Sequence, residues 1–210
     1  MSNRSCALCF VFAAAMATSL LCSKTAFAQA DQNNYERIEE TWEIKLGTPD
    51  PADESPQIAF WMKPTASSAF TGVLLLNFRD EPSYQSGGMQ VQLWQNETLR
   101  AQKSYGTSLL NTNDETITLT LYMERNGSTL SYGVASGTSA TWGNLANGNL
   151  HIATADTTAS FPNYKSSDSI ANLELPYGSS RIKSITLTQV RKKRVTGNVW
   201  VTESSQNAYP

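Results

Sequence analysis

The chain has 210 residues, 40% of them hydrophobic and only 16% charged, with 16 basic against 18 acidic side chains. That length is ample for a core needing no disulfide staples, and aliphatic content this high beside so little charge argues against intrinsic disorder. A net charge of −2 disfavours a basic nucleic-acid binder.

Residues 1–30 read as a secretory signal peptide, because Arg4 precedes an apolar run from Cys6 to Cys22 and Ala26-Phe27-Ala28 offers a small-residue exit, with cleavage near 28 or 30. The run is short for a membrane anchor. Ser19-Leu20-Leu21 lacks the small residue expected before a lipidated Cys22. Cys6, Cys9 and Cys22 all lie in this segment, so the exported domain is expected to carry no disulfide and no thiol chemistry. Its charge becomes −4, from 14 basic and 18 acidic residues. The expected location is secreted, extracellular or periplasmic, with no membrane span in the mature chain and no nucleic-acid partner.

The acidic stretch from Tyr35 to Trp42 is compatible with a short helix or with the approach to a strand, and Trp42 to Leu46 reads as a strand. Further strands are expected at Gln57 to Met62, Gly72 to Phe78 and Met89 to Gln95. The clearest alternation runs from Thr116 to Glu124, where Ile117, Leu119, Leu121 and Met123 share one face. Asn126-Gly127 then leads into Leu130, Tyr132 and Val134 at the same spacing, which predicts a hairpin over 116–135 closed by a type I′ turn. Leu150 to Ala155, Ser169 to Leu175 and Ile182 to Val190 complete the series, and Val195 to Val201 adds a last strand. Between them, Pro49-Asp50-Pro51, Ser86-Gly87-Gly88 and the segment 144–149 mark turns and loops.

Strands this numerous, each with one apolar side to bury, and no convincing 3.6-residue period predict an all-β fold: a two-sheet antiparallel β-sandwich in one domain over 31–194, with a C-terminal strand and tail over 195–210. The strand series from Trp42 to Val190, the Gly87-Gly88 entry to Met89-Gln90-Val91-Gln92-Leu93-Trp94, the Asn126-Gly127 hairpin and the late strand Arg181 to Leu187 resemble the concanavalin A-like jelly rolls, a group of lectins, laminin-G-type modules and glucanases. The resemblance implies a jelly-roll fold whose concave sheet often carries glycans, and by itself assigns no activity.

Candidate chemistry concentrates on Met89 to Gln95. With Met89, Val91 and Leu93 in the core, Gln90, Gln92 and Trp94 face outward, and an indole beside two amides suits a glycan: the ring stacks on sugar C–H groups while amides meet hydroxyls. Trp61 points outward from Ile58-Ala59-Phe60-Trp61-Met62, next to Lys63, and would form a platform with Trp94 if the two strands are neighbours. Tyr84 and Trp142 are loop aromatics that either bind or pack.

Enzymatic readings find less support. The Glu-x-Asp-x-x-Glu strand of related glucanases is absent, which leaves Glu174, Asp80, Glu81 and Glu97 as scattered acids, so no catalytic residue is assigned. His151 is the single histidine, too few for a two-histidine metal site. Asp50, Asp53 and Glu54 match no calcium-loop spacing, so neither metal nor cofactor is expected. The run Arg191-Lys192-Lys193-Arg194, placed just after a strand ending near Val190, reads as a solvated strand end or as a seat for an anionic polymer. Asn96-Glu97-Thr98 and Asn126-Gly127-Ser128 are glycan-acceptor sequons, meaningful only in a eukaryotic secretory pathway.

The expected function is therefore non-catalytic carbohydrate binding at Gln90, Gln92, Trp94, Trp61 and Tyr84, with a glycan or polysaccharide as partner. The alternatives are a polysaccharide-cleaving enzyme and a structural envelope or extracellular-matrix protein. Sequence leaves the oligomeric state open.

Overall fold

The computed structural model describes residues 34–48, 56–63, 70–78, 87–105, 110, 113–155, 161, 164–195, 199–203 and 205–209. The signal segment, its cysteines, Tyr84, Asp80, Glu81 and the Asp50, Asp53 and Glu54 loop lie outside those residues. Among the described residues no helix is long and apolar enough to cross a membrane, and no group of potential ligand side chains clusters as a metal site.

The architecture is an all-β sandwich of two antiparallel sheets. Chain order runs β1 (Tyr35–Leu46), β2 (Gln57–Met62), β3 (Phe70–Leu76), β4 (Met89–Gln95), β5 (Thr98–Tyr105), β6 (Thr116–Asn126), β7 (Thr129–Ser139), β8 (Gly143–Asn144), β9 (His151–Ala155), a short helix α1 (Ser166–Ala171), β10 (Glu174–Tyr177), β11 (Ile182–Arg194), β12 (Trp200–Glu203) and β13 (Gln206–Tyr209). The larger sheet is ordered β12-β11-β1-β6-β7-β8, with β13 also on β11 and β9 also on β7. The smaller is ordered β10-β2-β3-β4-β5.

Alternation places Trp42, Ile44, Leu119, Leu121 and Leu187 of the larger sheet opposite Phe60, Leu74, Val91 and Leu93 of the smaller. The Trp42 and Phe60 rings meet between the layers at 5.1 Å. Tyr132 from β7 lies against β3 at Gly72, where a Cβ would come within 2.5 Å of the tyrosine ring. Glycine there lets the fully buried ring reach the opposite sheet. β3, with the sequence FTGVLLL, is the middle strand of the smaller sheet; its inward residues are buried, while on its outward face Thr71 and Leu75 are half-buried on either side of buried Val73.

Several elements depart from the sequence reading. Tyr35 to Trp42 is strand throughout and extends β1, the strand between β11 and β6. Residues 169–175 do not form one strand: Ser169 belongs to α1, and β10 begins at Glu174. β11 continues through Arg194, so the cationic run lies within a paired strand instead of beyond its end. Three of its cations meet acids, Arg191 with Glu39 at 3.3 Å, Lys193 with Glu36 at 2.6 Å and Lys192 with Glu203. The final segment contributes two short strands, β12 and β13, both hydrogen-bonded to β11.

The turn closing the expected hairpin also differs in type. In the β6–β7 turn, Asn126 pairs with Thr129 and only Gly127, the first central residue, has a positive φ (59°). That is the pattern of a type II′ turn, with asparagine one position before the bend. The type I′ pattern falls instead on the β4–β5 turn, where Asn96 (47°) and Glu97 (62°) are both left-handed between the paired Gln95 and Thr98. Glutamate rarely adopts that conformation.

Candidate functional site

β2, β3 and β4 position the candidate side chains through their register. Met62 pairs with Gly72, Trp61 with Val73, Val73 with Gln92, and Thr71 with Trp94. Trp61 and Trp94 are therefore not on neighbouring strands, since β3 runs between them. Two strand spacings separate them by about 9–10 Å across the sheet, and one side-chain repeat offsets them by roughly 7 Å along it. The small Thr71 side chain stands on the intervening strand, level with Trp94, so the result is a hollow and not a flat platform.

That hollow has a volume of about 330 Å³ and is lined by Trp61, Lys63, Thr71, Trp94 and Glu97. It lies at the small end of the ~300–1,000 Å³ range typical of ligand clefts. The outer face is not uniformly open. Gln57, Ala59, Val73 and Gln90 occupy outward register positions yet are buried, whereas Trp61, Thr71, Gln92 and Trp94 are half-buried.

Hydrogen bonding fixes what each ring offers. Trp94 Nε1 donates to Gln92 Oε1 at 2.8 Å, Gln92 Nε2 donates to Gln90 Oε1, and Gln90 Nε2 donates to Ser104 Oγ at 2.8 Å. The four groups form one directional ladder along β4 that ends on β5. Trp61 Nε1 is buried and has no partner among the described residues. The Trp94 N–H is committed to Gln92 and the Trp61 N–H is buried, so both tryptophans line the hollow through ring surface. Gln92 keeps one amide hydrogen and one lone pair in reserve. Gln90, at 4% exposure, acts through Gln92.

Charge enters from two sides. Lys63 follows β2; its Nζ donates to Asn172 Oδ1 at 2.7 Å and sits 5.8 Å from the Trp61 ring centroid. Asn172 caps the C-terminal end of α1, where its Nδ2 donates to the Asp168 carbonyl at 2.6 Å. Glu97 reaches the hollow from the exposed, left-handed β4–β5 turn. A strained non-glycine residue beside a cleft is a feature that clusters at binding sites.

α1 is in turn moored to the interior. Ser169 Oγ and Tyr164 Oη both donate to Glu40 Oε1 at 2.5 Å, and Trp42 Nε1 donates to Glu40 Oε2 at 3.1 Å. Glu40 occupies a core-facing position of β1 at 1% exposure. Burial raises its carboxyl above the ordinary value, while the hydrogen bonds from Ser169, Tyr164 and Trp42 pull the other way. A carboxyl on the apolar face of a strand breaks alternation, which is why the sequence of 35–42 is compatible with helix as well as with strand.

The other sequence candidates fall elsewhere. Trp142 is buried and packs in the core cluster. His151 is exposed on β9, and its Nδ1 meets the Tyr122 hydroxyl across β7. Glu174 is an exposed residue of β10 opposite Ala59. Glu97 is the acid lining the hollow among the described residues, and no second carboxylate joins it there. Sequence reading passed over Thr71 and Asn172, whose contributions depend on strand register and on a helix end.

Fold and site together define an all-β sandwich with an aromatic, charge-flanked hollow on one outer face. No family description and no curated protein matches the chain. Among solved structures, five chains match, including the crystal structure of scytalido-glutamic peptidase with a transition state analog inhibitor, at 8% identity over 82% of each chain and a TM-score of 0.36. A likeness this slight fixes neither a fold family nor an activity.

Proposed function

We propose that the chain is an exported, non-catalytic glycan-binding β-sandwich of the concanavalin A-like jelly-roll kind, and that its ligand site is the hollow between Trp61 and Trp94. The observation carrying this reading is that two half-buried indoles, the Trp94 N–H bonded to Gln92 and the Trp61 N–H buried, line one hollow together with a small hydroxyl side chain. Ring surface without a free donor suits the C–H face of a pyranose, and the spare amide valence of Gln92, the Thr71 hydroxyl, Lys63 and Glu97 supply partners for ring hydroxyls. Among the described residues Glu97 is the one carboxylate lining the groove, whereas acid–base cleavage of a glycosidic bond employs a pair. Binding without turnover is the reading that fits.

The test is retention of the purified chain on arrayed and insoluble polysaccharides. At least one polymer is expected to retain it, and Trp94→Ala is expected to weaken that retention by about 1–3 kcal/mol. Trp200→Ala, on the other sheet, is expected to leave it unchanged. Retention indifferent to Trp94 and Trp61 removes the hollow from the function, and release of new reducing ends would replace binding by cleavage.

A further inference from the structure

The charges flanking the hollow carry the argument one step further, resting on the glycan-binding reading. Lys63 is held in place on two sides, by Asn172 Oδ1 at 2.7 Å and by the Trp61 ring, and it is half-buried. Among the described residues no carboxylate comes within ion-pair distance of it, whereas Arg37, Lys45, Lys183, Arg191, Lys192 and Lys193 each have one. An ammonium has three donors, and the hydrogen bond to Asn172 occupies one. The other two belong to a side chain that lines the hollow, 5.8 Å from the Trp61 ring centroid.

Glu97 lines the same hollow without pairing to Lys63, so a gap separates the two charges. A bare inorganic anion would satisfy Lys63 but meet Glu97 with repulsion. A sugar ring bearing a carboxylate and vicinal hydroxyls satisfies both, by setting the carboxylate on Lys63, donating hydroxyls to Glu97 and laying its C–H face on an indole. An amino sugar would reverse the polarity and place its cation on Glu97. That arrangement is weaker, because Glu97 is exposed at a turn and screened by solvent, whereas the Lys63 charge is half-buried and anchored.

We propose that the hollow recognises an acidic glycan, a polysaccharide with uronic acid residues, through a carboxylate seated on Lys63. Lys63 is then the specificity-determining residue of the site, and Asn172 positions it.

The experiment measures binding of the full-length chain to polygalacturonate, polyglucuronate and alginate, each beside its own carboxyl-reduced polymer, by affinity electrophoresis at fixed ionic strength. At least one acidic polymer is expected to bind about tenfold tighter than its reduced partner. Lys63→Gln is expected to erase that preference, leaving the acidic polymer and its reduced partner bound alike, while keeping the wild-type melting temperature. Arg100→Gln, an exposed cation of β5 that does not line the hollow, is expected to preserve it. Equal affinity within every pair, still sensitive to Trp94→Ala, overturns carboxylate recognition and leaves glycan binding standing. Affinity for no polymer of either kind overturns both. A preference lost as fully with Arg100→Gln as with Lys63→Gln assigns it to general surface charge and overturns the role of Lys63.

Discussion

The outer faces of the two sheets are built from similar side chains and differ in what they leave unspent. On the larger sheet Arg37 bonds Glu39 at 2.8 Å and Glu124 at 2.7 Å and stacks on Tyr122 at 4.4 Å, while Arg191 bonds the same Glu39 and stacks on Trp200 at 4.2 Å. Register explains the cluster, since Arg191, Glu39 and Tyr122 share one row across β11, β1 and β6. Around it, Thr41 bonds Thr120 at 3.0 Å and Thr118 bonds Thr138 at 3.1 Å. These cations and acids are already spent on one another. On the smaller sheet Lys63 and Glu97 flank a hollow without meeting, and two indoles show their rings. The two faces share aromatic and charged composition; what sets the smaller sheet apart is uncommitted valence beside a concavity.

The largest effect expected lies beneath this contrast, at the acid that moors α1 and, through Asn172, Lys63. Glu40→Leu leaves Ser169, Tyr164 and Trp42 as buried donors without an acceptor and is expected to cost about 3–5 kcal/mol in urea unfolding, since each orphaned group costs roughly 1–3 kcal/mol with partial relaxation. Glu40→Gln keeps an acceptor and isolates the titration. Because burial raises the Glu40 carboxyl above 4.5, the folded chain holds a proton that the unfolded chain releases first. Its contribution to stability is therefore full below the unfolded value and is lost as pH rises through the raised folded one. Stability measured from pH 4 upward is expected to lose that decline in Glu40→Gln, and an unchanged profile would assign it to other groups.

A smaller effect separates the two faces directly. Glu39 is 12% exposed and serves both arginines, so Glu39→Ala is expected to destabilise the fold by about 1–2 kcal/mol, more than an ordinary surface pair, and to leave polysaccharide retention untouched. Reduced retention would mean that the larger sheet takes part in binding.

The smallest is a gain. Glu97→Gly relieves a left-handed glutamate and is expected to raise stability by about 1 kcal/mol while weakening retention at the hollow. Greater stability with undiminished retention would make Glu97 a spectator of the site.

Much of the sandwich was legible because period-two burial leaves a strong mark. β2 and β4 begin and end where alternation predicts, and Ile117, Leu119, Leu121 and Met123 line the core face of β6. β5 was not legible: its sequence, TLRAQKSY, is almost wholly exposed at a sheet edge, where no apolar face is needed and basic residues discourage edge pairing. The strand read over 169–175 failed because Ser169 and Ile170 turn inward from a short helix, anchored by a carboxyl 129 positions earlier in the chain. The outward tryptophans were legible one by one. That they share a hollow depends on the intervening strand and on Thr71, which only the pairing of three strands reveals.

The ladder from Trp94 through two glutamines to Ser104 gives the hollow a built-in reporter. Its donors all point the same way, so their dipoles reinforce one another, and a change in the indole's surroundings is passed along the side-chain amides toward β5. Occupancy of the hollow would accordingly be readable in the proton shifts of the Gln92 and Gln90 carboxamides, the second of which lies too deep for any ligand to touch.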